Sequence, residues 1–245
     1  IIQYVKGRMI PRDKWHRLFF TTEFKKLANY ACPGTYSKED PEPRLVIPIY
    51  NEDGYIESFQ GRSLREGKYV VRYVTIKFDE SATKIYGLDT VDESEVAFFL
   101  EGQLDSLFID NGLAITGGNI SLRELNKYYP YERAFILDNE PRHQDTINRI
   151  EKLINSGESI VLFDRVNWEG KDINQFIQNG VSIEEINSYI RENVLTGLEA
   201  RLRFMAWKQV DTDIIRRERR NNYRQEQRKK GVDRFFNMVR NKNYS

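Results

Sequence analysis

Acidic side chains at the ends of short apolar runs are the residues of this sequence best suited to chemistry. They are Glu101, Asp105, Asp138, Glu140, Asp164 and Asp172. Like charges held a few ångströms apart raise one another's pKa unless a cation lies between them. Carboxylate oxygens are ligands that suit Mg²⁺ or Mn²⁺. The set therefore predicts a site for a hard divalent cation.

An acidic residue at the end of a strand can also serve as the N-cap of the following helix. Asp138 and Asp172 both fit that alternative. For any one residue the capping role is favoured, whereas acids at three strand ends together favour a metal site.

The elements that must position these acids alternate between strand and helix. Short apolar runs predict strands at 96–100, 113–116, 134–137 and 160–163. Helical stretches near 103–110, 121–128 and 142–156 lie between them. This alternation predicts βαβ units around a mostly parallel sheet, in which ligands bind beyond the carboxyl ends of the strands.

The flanking regions have a different character. Extended segments at 44–50 and 55–62 are separated by the turn signal Asn51-Glu-Asp-Gly54 and predict a hairpin, with a further strand at 69–77. From Ser182, which begins a capping-box pattern, the sequence predicts helices to the end.

Composition excludes several classes of protein. The 245 residues contain one cysteine and two histidines, which rules out a disulfide framework and a Cys/His zinc site. No apolar run approaches the roughly 20 residues that span a bilayer, and the basic start is unlike a signal peptide. We expect a soluble protein of a reducing compartment, the cytoplasm. Because residue 1 is Ile, we also expect a fragment or a processed product.

A basic tail is hidden by the overall charge balance. The chain has 38 Lys and Arg against 37 Asp and Glu, a net charge of +1. Residues 211–245 hold eleven of the bases and five of the acids, so the tail is +6 and residues 1–210 are −5. The tail predicts contact with a polyanion or an acidic partner, and a solvated helix is the equal alternative.

Two of the acidic motifs resemble those of the Toprim domain, which bacterial-type primases, topoisomerases and some nucleases share. Phe99-Leu-Glu-Gly-Gln-Leu-Asp105 is similar to its strand followed by Glu-Gly-x-x-Asp. Ile136-Leu-Asp-Asn-Glu140 is similar to its Asp-x-Asp motif, with Glu140 in the second position. Lys171-Asp-Ile-Asn174 resembles the next acidic motif of primases, with Asn174 in place of a final Asp.

The segment upstream narrows the resemblance to the bacterial-type, DnaG-like primases. Arg44 to Arg62 is similar to the primase order of Arg, apolar run, Pro, charged turn and Phe-x-Gly-Arg. Arg72-Tyr73 and Tyr86-Gly-Leu88 match two further primase motifs. Together the motifs cover about residues 44–178. The compact length resembles phage primases. Primases of this type usually begin with a zinc-binding domain that this sequence does not contain, and we expect that domain to have been cut away or to lie upstream.

The resemblance implies a three-part fold. Residues 1–92 would form an α+β basic subdomain, 93–180 an α/β Toprim domain with a mostly parallel sheet, and 181–245 a helical C-terminal region with the basic tail.

The resemblance also implies roles for individual residues. Catalysis would rest on Glu101, Asp138 and Glu140. Two Mg²⁺ or Mn²⁺ ions would be held by these three residues together with Asp105 and Asp172, and no zinc would be bound by this chain. Phosphates of the nucleotide or template would be bound by Arg44, Arg62, Arg72, Lys84 and Lys171.

We therefore expect a primase catalytic core that makes short RNA primers on single-stranded DNA from ribonucleoside triphosphates. A replicative helicase is the further partner implied, and the host cytoplasm is the location if the gene is a phage's. The alternatives are a Toprim-type metal-dependent nuclease and a non-catalytic DNA-binding accessory module of replication.

Overall fold

The chain forms two β-sheets surrounded by helices, as seen in a computed structural model that describes residues 1–65, 67, 70–117 and 120–209. In chain order the elements are α1 (Ile2–Gly7), a 3-10 helix (Arg12–Arg17), β1 (Phe19–Thr21), α2 (Phe24–Ala31), β2 (Arg44–Tyr50), β3 (Ile56–Ser63), β4 (Tyr73–Lys77), β5 (Ile85–Tyr86), β6 (Ala97–Leu100), α3 (Gln103–Ser106), β7 (Gly112–Ile115), α4 (Leu122–Tyr128), β8 (Arg133–Ile136), α5 (Gln144–Asn155), β9 (Ser159–Val161), α6 (Ile173–Gln178), α7 (Ile183–Glu192), β10 (Val194–Leu195) and α8 (Gly197–Trp207).

The first sheet is antiparallel, with the strand order β1-β2-β3-β4. The predicted hairpin is confirmed: β2 pairs with β3, and the side chain of Asn51 accepts hydrogen bonds from the backbone of Asp53 and Tyr55 in the turn. Gly61 in β3 is required by its neighbour, because a Cβ there would lie 2.1 Å from the ring of Phe24. The sheet therefore packs a phenylalanine ring directly on its backbone.

The second sheet has the order β10-β9-β8-β6-β7-β5. Its four central strands are mutually parallel, and the short strands β5 and β10 pair antiparallel at the edges. The four strands predicted from apolar runs are confirmed as β6 to β9. The helix expected over 103–110 is shorter: α3 ends at Ser106, and Asn111, five residues later, has a φ of 55° and turns the chain into β7.

Successive side chains along the central strands point to opposite faces of the sheet and pack into two separate hydrophobic cores. In β6, Phe98 and Leu100 face a cluster that includes α3, α6 and α7, whereas Ala97 and Phe99 face one that includes α4, α5 and α8. Helices cover both faces of the parallel strands, which explains their continuous apolar character.

The N-terminal segment shares the first of these cores. Val5, Ile10 and Leu45 belong to the same buried cluster as Phe98 of the second sheet. Strand β5 precedes residue 92 and already belongs to the second sheet. The division at residues 92 and 180 stays a prediction.

Residues 181–209 hold α7, β10 and α8. The hydroxyl of Ser182 accepts a hydrogen bond from the backbone of Glu185, as expected of an N-cap. The short strand β10 interrupts the helices that the sequence predicts there. The basic tail at 211–245 lies outside the described residues. Within the described ranges, no helix combines the length and apolar character needed to cross a membrane.

Candidate metal and nucleotide site

The acidic residues follow two neighbouring strands at the point where the sheet changes direction. The chain runs from β6 to β7 on one side and then returns to β8 on the other side of β6. Leu100 at the end of β6 is paired with Ile136 at the end of β8, so Glu101 and Asp138 emerge from adjacent strands. A crevice opens at such a switch point, because α3 and α5 pack on opposite faces of the sheet.

One small pocket at this edge collects most of the predicted metal ligands. Its lining includes Glu101, Asp105, Asp138 and Asp172, together with Lys171. These residues are separated by up to 71 positions in the sequence. The structure thus brings together residues that the motifs only suggested were related.

Asp105 sits against the backbone that precedes it. A Cβ at Gly102 would lie 2.8 Å from the Asp105 Oδ2, so glycine leaves room for the carboxylate. The backbone N–H of Asn174 donates to the Asp105 Oδ1 at 3.1 Å. Burial, followed by the charge of Asp172, raises the pKa of Asp105 to about 7. The surroundings of Asp105 therefore stabilise the charged form of its carboxyl group poorly.

The ammonium group of Lys171 lies near the carboxylates of both Asp138 and Glu140. Lys171 Nζ lies 3.5 Å from the Asp138 Oδ2 and 3.7 Å from the Glu140 Oε1. Burial, followed by the charge of Glu101, raises the pKa of Asp138 to about 6 despite this ammonium group. Lys171 therefore contacts both acidic residues directly. A metal ion bound by the same carboxylates would lie close to its ammonium group.

Glu101 is paired with a residue that the sequence reasoning missed. Arg149 of α5 places its Nη1 2.7 Å from the Glu101 Oε2. The only signal in the sequence is that Arg149 lies between the buried Ile147 and Ile150 on the helix that follows the second acidic motif. Nothing in that pattern identifies a partner 48 residues away.

Two of the acids have structural roles, of which the N-cap of Asp172 was the alternative considered from the sequence. Asp172 caps α6, since its Oδ1 accepts from the backbone of Gln175 at 2.8 Å. Asp164 forms a two-point ion pair with Arg203 of α8. Asp172 still lines the pocket, whereas the carboxylate of Asp164 is committed to Arg203.

These commitments limit what the described residues can coordinate. Among the ranges the structure covers, no group of three or more His, Cys, Asp or Glu side chains is arranged to hold a metal ion. Arg149, Lys171 and the α6 cap each engage one or more of the carboxylates. The donor chemistry nevertheless fits a hard cation: all the side chains offer oxygen, and the pKa values of Asp105 and Asp138 are raised.

The predicted phosphate-binding residues differ in their accessibility. Arg44 is only 3% exposed, and its guanidinium donates to the backbone oxygens of Gly61 and Val71 and to the carboxylate of Glu42. A phosphate contact for Arg44 does not fit that burial. The Arg44 side chain instead links β2 to β3 and to the segment that precedes β4.

Arg62 lies beside the acidic edge. Its guanidinium contacts the hydroxyl of Tyr73 and lies over the rings of Tyr73 and Tyr4. Burial, followed by the charges of Arg8 and Arg72, lowers the pKa of Arg62 although nearby Tyr4 and Asp105 oppose this. Positive charge is therefore concentrated next to the carboxylates.

The remaining basic residues have different surroundings. Arg72 is exposed, and Lys84 Nζ lies 3.4 Å from the Glu124 Oε1.

Arg8, which the sequence reasoning did not select, donates to the Asn174 Oδ1 at 2.9 Å, while the Asn174 amide donates to the Arg8 backbone oxygen at 2.5 Å. Asn174 therefore links the N-terminal segment to the acidic edge.

Comparisons with known proteins agree with this geometry. No family model matches the chain. The chain is 48% identical over 211 residues to the DNA primase of Enterobacteria phage T4, a match that covers 86% of this chain and 60% of that protein. The chain is homologous to DNA primases. The resemblance inferred from the motifs is thereby confirmed.

The fold of this primase homologue also matches solved structures. The Aquifex aeolicus primase, solved with its zinc-binding and RNA polymerase domains, gives a TM-score of 0.60 at 20% identity, covering 79% of this chain and 56% of that one. A DnaG primase catalytic domain bound to single-stranded DNA gives 0.60 at 13% identity, covering 82% and 73%. At such identities the likeness concerns the fold, which is that of a primase catalytic core.

Proposed function

We propose that this chain is the catalytic core of a DNA primase, which joins ribonucleotides into short RNA primers on a single-stranded DNA template. The observation that carries the proposal is the pair Glu101 and Asp138 on adjacent parallel strands at the switch point, in a chain 48% identical to the phage T4 primase. The template is suggested by the related catalytic domain whose structure holds single-stranded DNA.

The parallel sheet with its acidic edge is, in this proposal, a Toprim domain. Glu101, Asp105, Asp138, Glu140 and Asp172 would hold two Mg²⁺ or Mn²⁺ ions. When bound there, such ions would supply positive charge that favours deprotonation of the primer 3′-hydroxyl and offsets the charge of the leaving pyrophosphate. The raised pKa values of Asp105 and Asp138 support the assignment, since a cation would relieve the repulsion that contributes to them.

The basic residues would position the phosphates. Arg62 and Arg72 lie on the side of the acidic edge formed by the first sheet, and Lys171 lies among the carboxylates. A guanidinium suits this task because its planar donors bind two phosphate oxygens at once. Lys171 is placed to exchange its carboxylate partners for a phosphate when a nucleotide and its cations enter. Lys84, paired with Glu124, would contact the template.

The wider setting follows from the same proposal. The three-part division at residues 92 and 180 would separate a basic subdomain, the Toprim domain and the C-terminal region. The basic tail at 211–245 would bind a replicative helicase or DNA. The protein would act in the cytoplasm of a phage-infected host.

The test is incorporation of labelled ribonucleotides on single-stranded DNA in the presence of Mg²⁺ or Mn²⁺. We expect RNA synthesis by the wild-type chain and a loss of at least about a hundredfold in Glu101→Gln and Asp138→Asn. Glu184→Gln, at an exposed position in the first turn of α7, is the matched control and should retain activity.

Other outcomes would identify the alternatives. DNA shortened without ribonucleotide incorporation, and lost in the same two variants, would indicate a Toprim nuclease. DNA binding that persists with neither activity would indicate an accessory module.

A further inference from the structure

The segment that carries Asp138 and Glu140 lies between β8 and α5, outside any strand or helix. We call residues 137–143 the acidic loop. Two hydrogen bonds run within its backbone, from the Glu140 N–H to the Asp138 oxygen at 2.8 Å and from the His143 N–H to the Glu140 oxygen at 3.0 Å. Because no sheet ladder or helix fixes this segment, the position of its carboxylates depends on contacts with neighbouring elements.

The end of α8 contacts the acidic loop at two points. The indole Nε1 of Trp207 donates to the Asn139 Oδ1 at 3.0 Å. The backbone N–H of Gln209 donates to the Pro141 oxygen at 2.9 Å. Each bond joins residues 68 positions apart in the sequence, and the sequence motifs suggested neither of them. The C-terminal part of the described chain therefore reaches the loop that bears two of the predicted metal ligands.

Trp207 is held in place by the hydrophobic core. It is 6% exposed, and its ring stacks on that of Phe204 with the ring centroids 6.2 Å apart. Both rings belong to the buried cluster that includes Ile147 and Ile150 of α5. Side chains in a close-packed core have little freedom to change direction. The hydrogen bond to Asn139 therefore starts from a rigidly oriented donor.

Asn139 stands between the two carboxylates and also connects the acidic loop to its other neighbour. Its backbone N–H donates to the backbone oxygen of Lys171 at 2.6 Å. The carboxylates of Asp138 and Glu140 both lie near the Lys171 ammonium. The Asn139 side chain instead reaches Trp207. Because a rotation of the Asn139 backbone would move the carboxylates on both sides, the hydrogen bond from Trp207 restrains the two together.

The bond from Trp207 differs in kind from the other contacts of the acidic edge. Lys171 and Arg149 are cations that contact the carboxylates themselves, so a bound metal ion would compete with them. An indole N–H is a neutral donor, and it has no lone pair to offer to a cation. Its partner is an amide rather than a carboxylate. This contact can therefore persist when cations bind.

We propose that Trp207 is a positioning residue of the acidic edge. Through Asn139 it holds the carboxylates of Asp138 and Glu140 where divalent cations bind. This inference rests on the proposed function. It gives α8, which supplies none of the predicted metal ligands, a part in shaping their site.

The test is Mg²⁺ binding to the full chain, measured by calorimetry. We expect the Kd to rise about fivefold in Trp207→Phe, which keeps a packed aromatic ring and loses the N–H donor. Asn139→Ala, which removes the acceptor, should raise the Kd to a similar extent. The double variant should bind no more weakly than either single variant, because both changes remove the same hydrogen bond.

Trp15→Phe is the matched control. The Trp15 Nε1 donates to the Ile10 backbone oxygen at 2.9 Å, so this change removes a bond of the same kind in the N-terminal segment. The melting temperature should fall to a similar extent in both tryptophan variants. Mg²⁺ should bind more weakly to Trp207→Phe alone, a difference that a purely structural role would not produce. Asn139→Ala, which leaves the core intact, gives the same measurement if Trp207→Phe fails to fold.

RNA synthesis separates a positioning residue from a metal ligand. Raising the Mg²⁺ concentration should restore most of the activity of Trp207→Phe, because its carboxylates are all present. The same increase should not restore the activity of Asp138→Asn, which lacks one of them.

Three results would overturn the inference. They are an unchanged Kd for Mg²⁺ in Trp207→Phe and Asn139→Ala, effects that multiply in the double variant, and equally weakened binding in Trp15→Phe. If any of them is found while the wild type binds Mg²⁺ and makes RNA, the positioning role is wrong and the proposed function stands. A wild type that neither binds Mg²⁺ nor makes RNA overturns both.

Discussion

Replacing Asp105 by asparagine should stabilise the protein at pH 8 and remove much of its dependence on pH. Burial and the charge of Asp172 raise the pKa of Asp105 to about 7, against an ordinary value of 3.8. Between these pH values the folded carboxyl keeps a proton that the unfolded chain has lost. The free energy of unfolding should therefore fall as the pH rises from about 4 to about 7, and then level off.

The size of the effect follows from the two pKa values. Their difference corresponds to about 4 kcal/mol of destabilisation once the carboxyl is ionised. Because the side chain is only partly shielded from water, we expect Asp105→Asn to gain about 2–4 kcal/mol at pH 8 and little at pH 5. Asparagine has the same shape and can still accept the hydrogen bond from the backbone of Asn174.

Urea unfolding followed by tryptophan fluorescence, at pH 5 and pH 8 with a chelator present, measures this difference. Asp53→Asn, in the exposed turn between β2 and β3, is the control and should follow the wild type at both pH values. Asp138, whose pKa is raised to about 6, should leave a smaller residual pH dependence in Asp105→Asn. Equal pH dependence in the wild type and Asp105→Asn would refute the reasoning, as would a wild type that is more stable at pH 8.

Three further predictions concern the neighbouring groups. Lys171→Gln should tighten Mg²⁺ binding about two- to fivefold in calorimetry, because an ammonium group no longer competes for Asp138; weaker binding would contradict this. Arg44→Gln should lower the free energy of unfolding in urea by about 3 kcal/mol, since backbone oxygens lose their buried donor, and an unchanged value would contradict the structural role. Gly61→Ala should cost about 2 kcal/mol by pushing the ring of Phe24 away, whereas a neutral result would mean that the ring is not held there.

The parallel sheet and its acidic edge were predictable from the sequence because they depend on local patterns. Apolar runs of strand length give β6 to β9, and a residue that follows a strand must emerge at its carboxyl end. Glu101 and Asp138 could thus be assigned to one edge without knowledge of the packing. The homology to DNA primases agrees with the primase resemblance that the motifs suggested, and the Toprim assignment stays a prediction.

What could not be predicted depends on contacts between distant segments. The pairing of Arg149 with Glu101 and the burial of Arg44 arise from how elements pack, and a charged residue gives no sign of its partner in sequence. Asn174 illustrates the same limit. In the motif Asn174 stands in place of an Asp, and the structure shows its side-chain amide bonded to Arg8. Whether the five acids bind metal stays a prediction.

The link between Asn174 and Arg8 has a consequence for the order in which the protein matures. The two residues are 166 positions apart, and Val5 and Ile10 of the same N-terminal segment are buried with the core of the second sheet. A nascent chain therefore cannot complete its acidic edge until α6 has left the ribosome, however early the first sheet forms. Until then Arg8 lacks its hydrogen-bond partner Asn174. Assembly of the site is thus a late event of synthesis, and partly made chains should be inert.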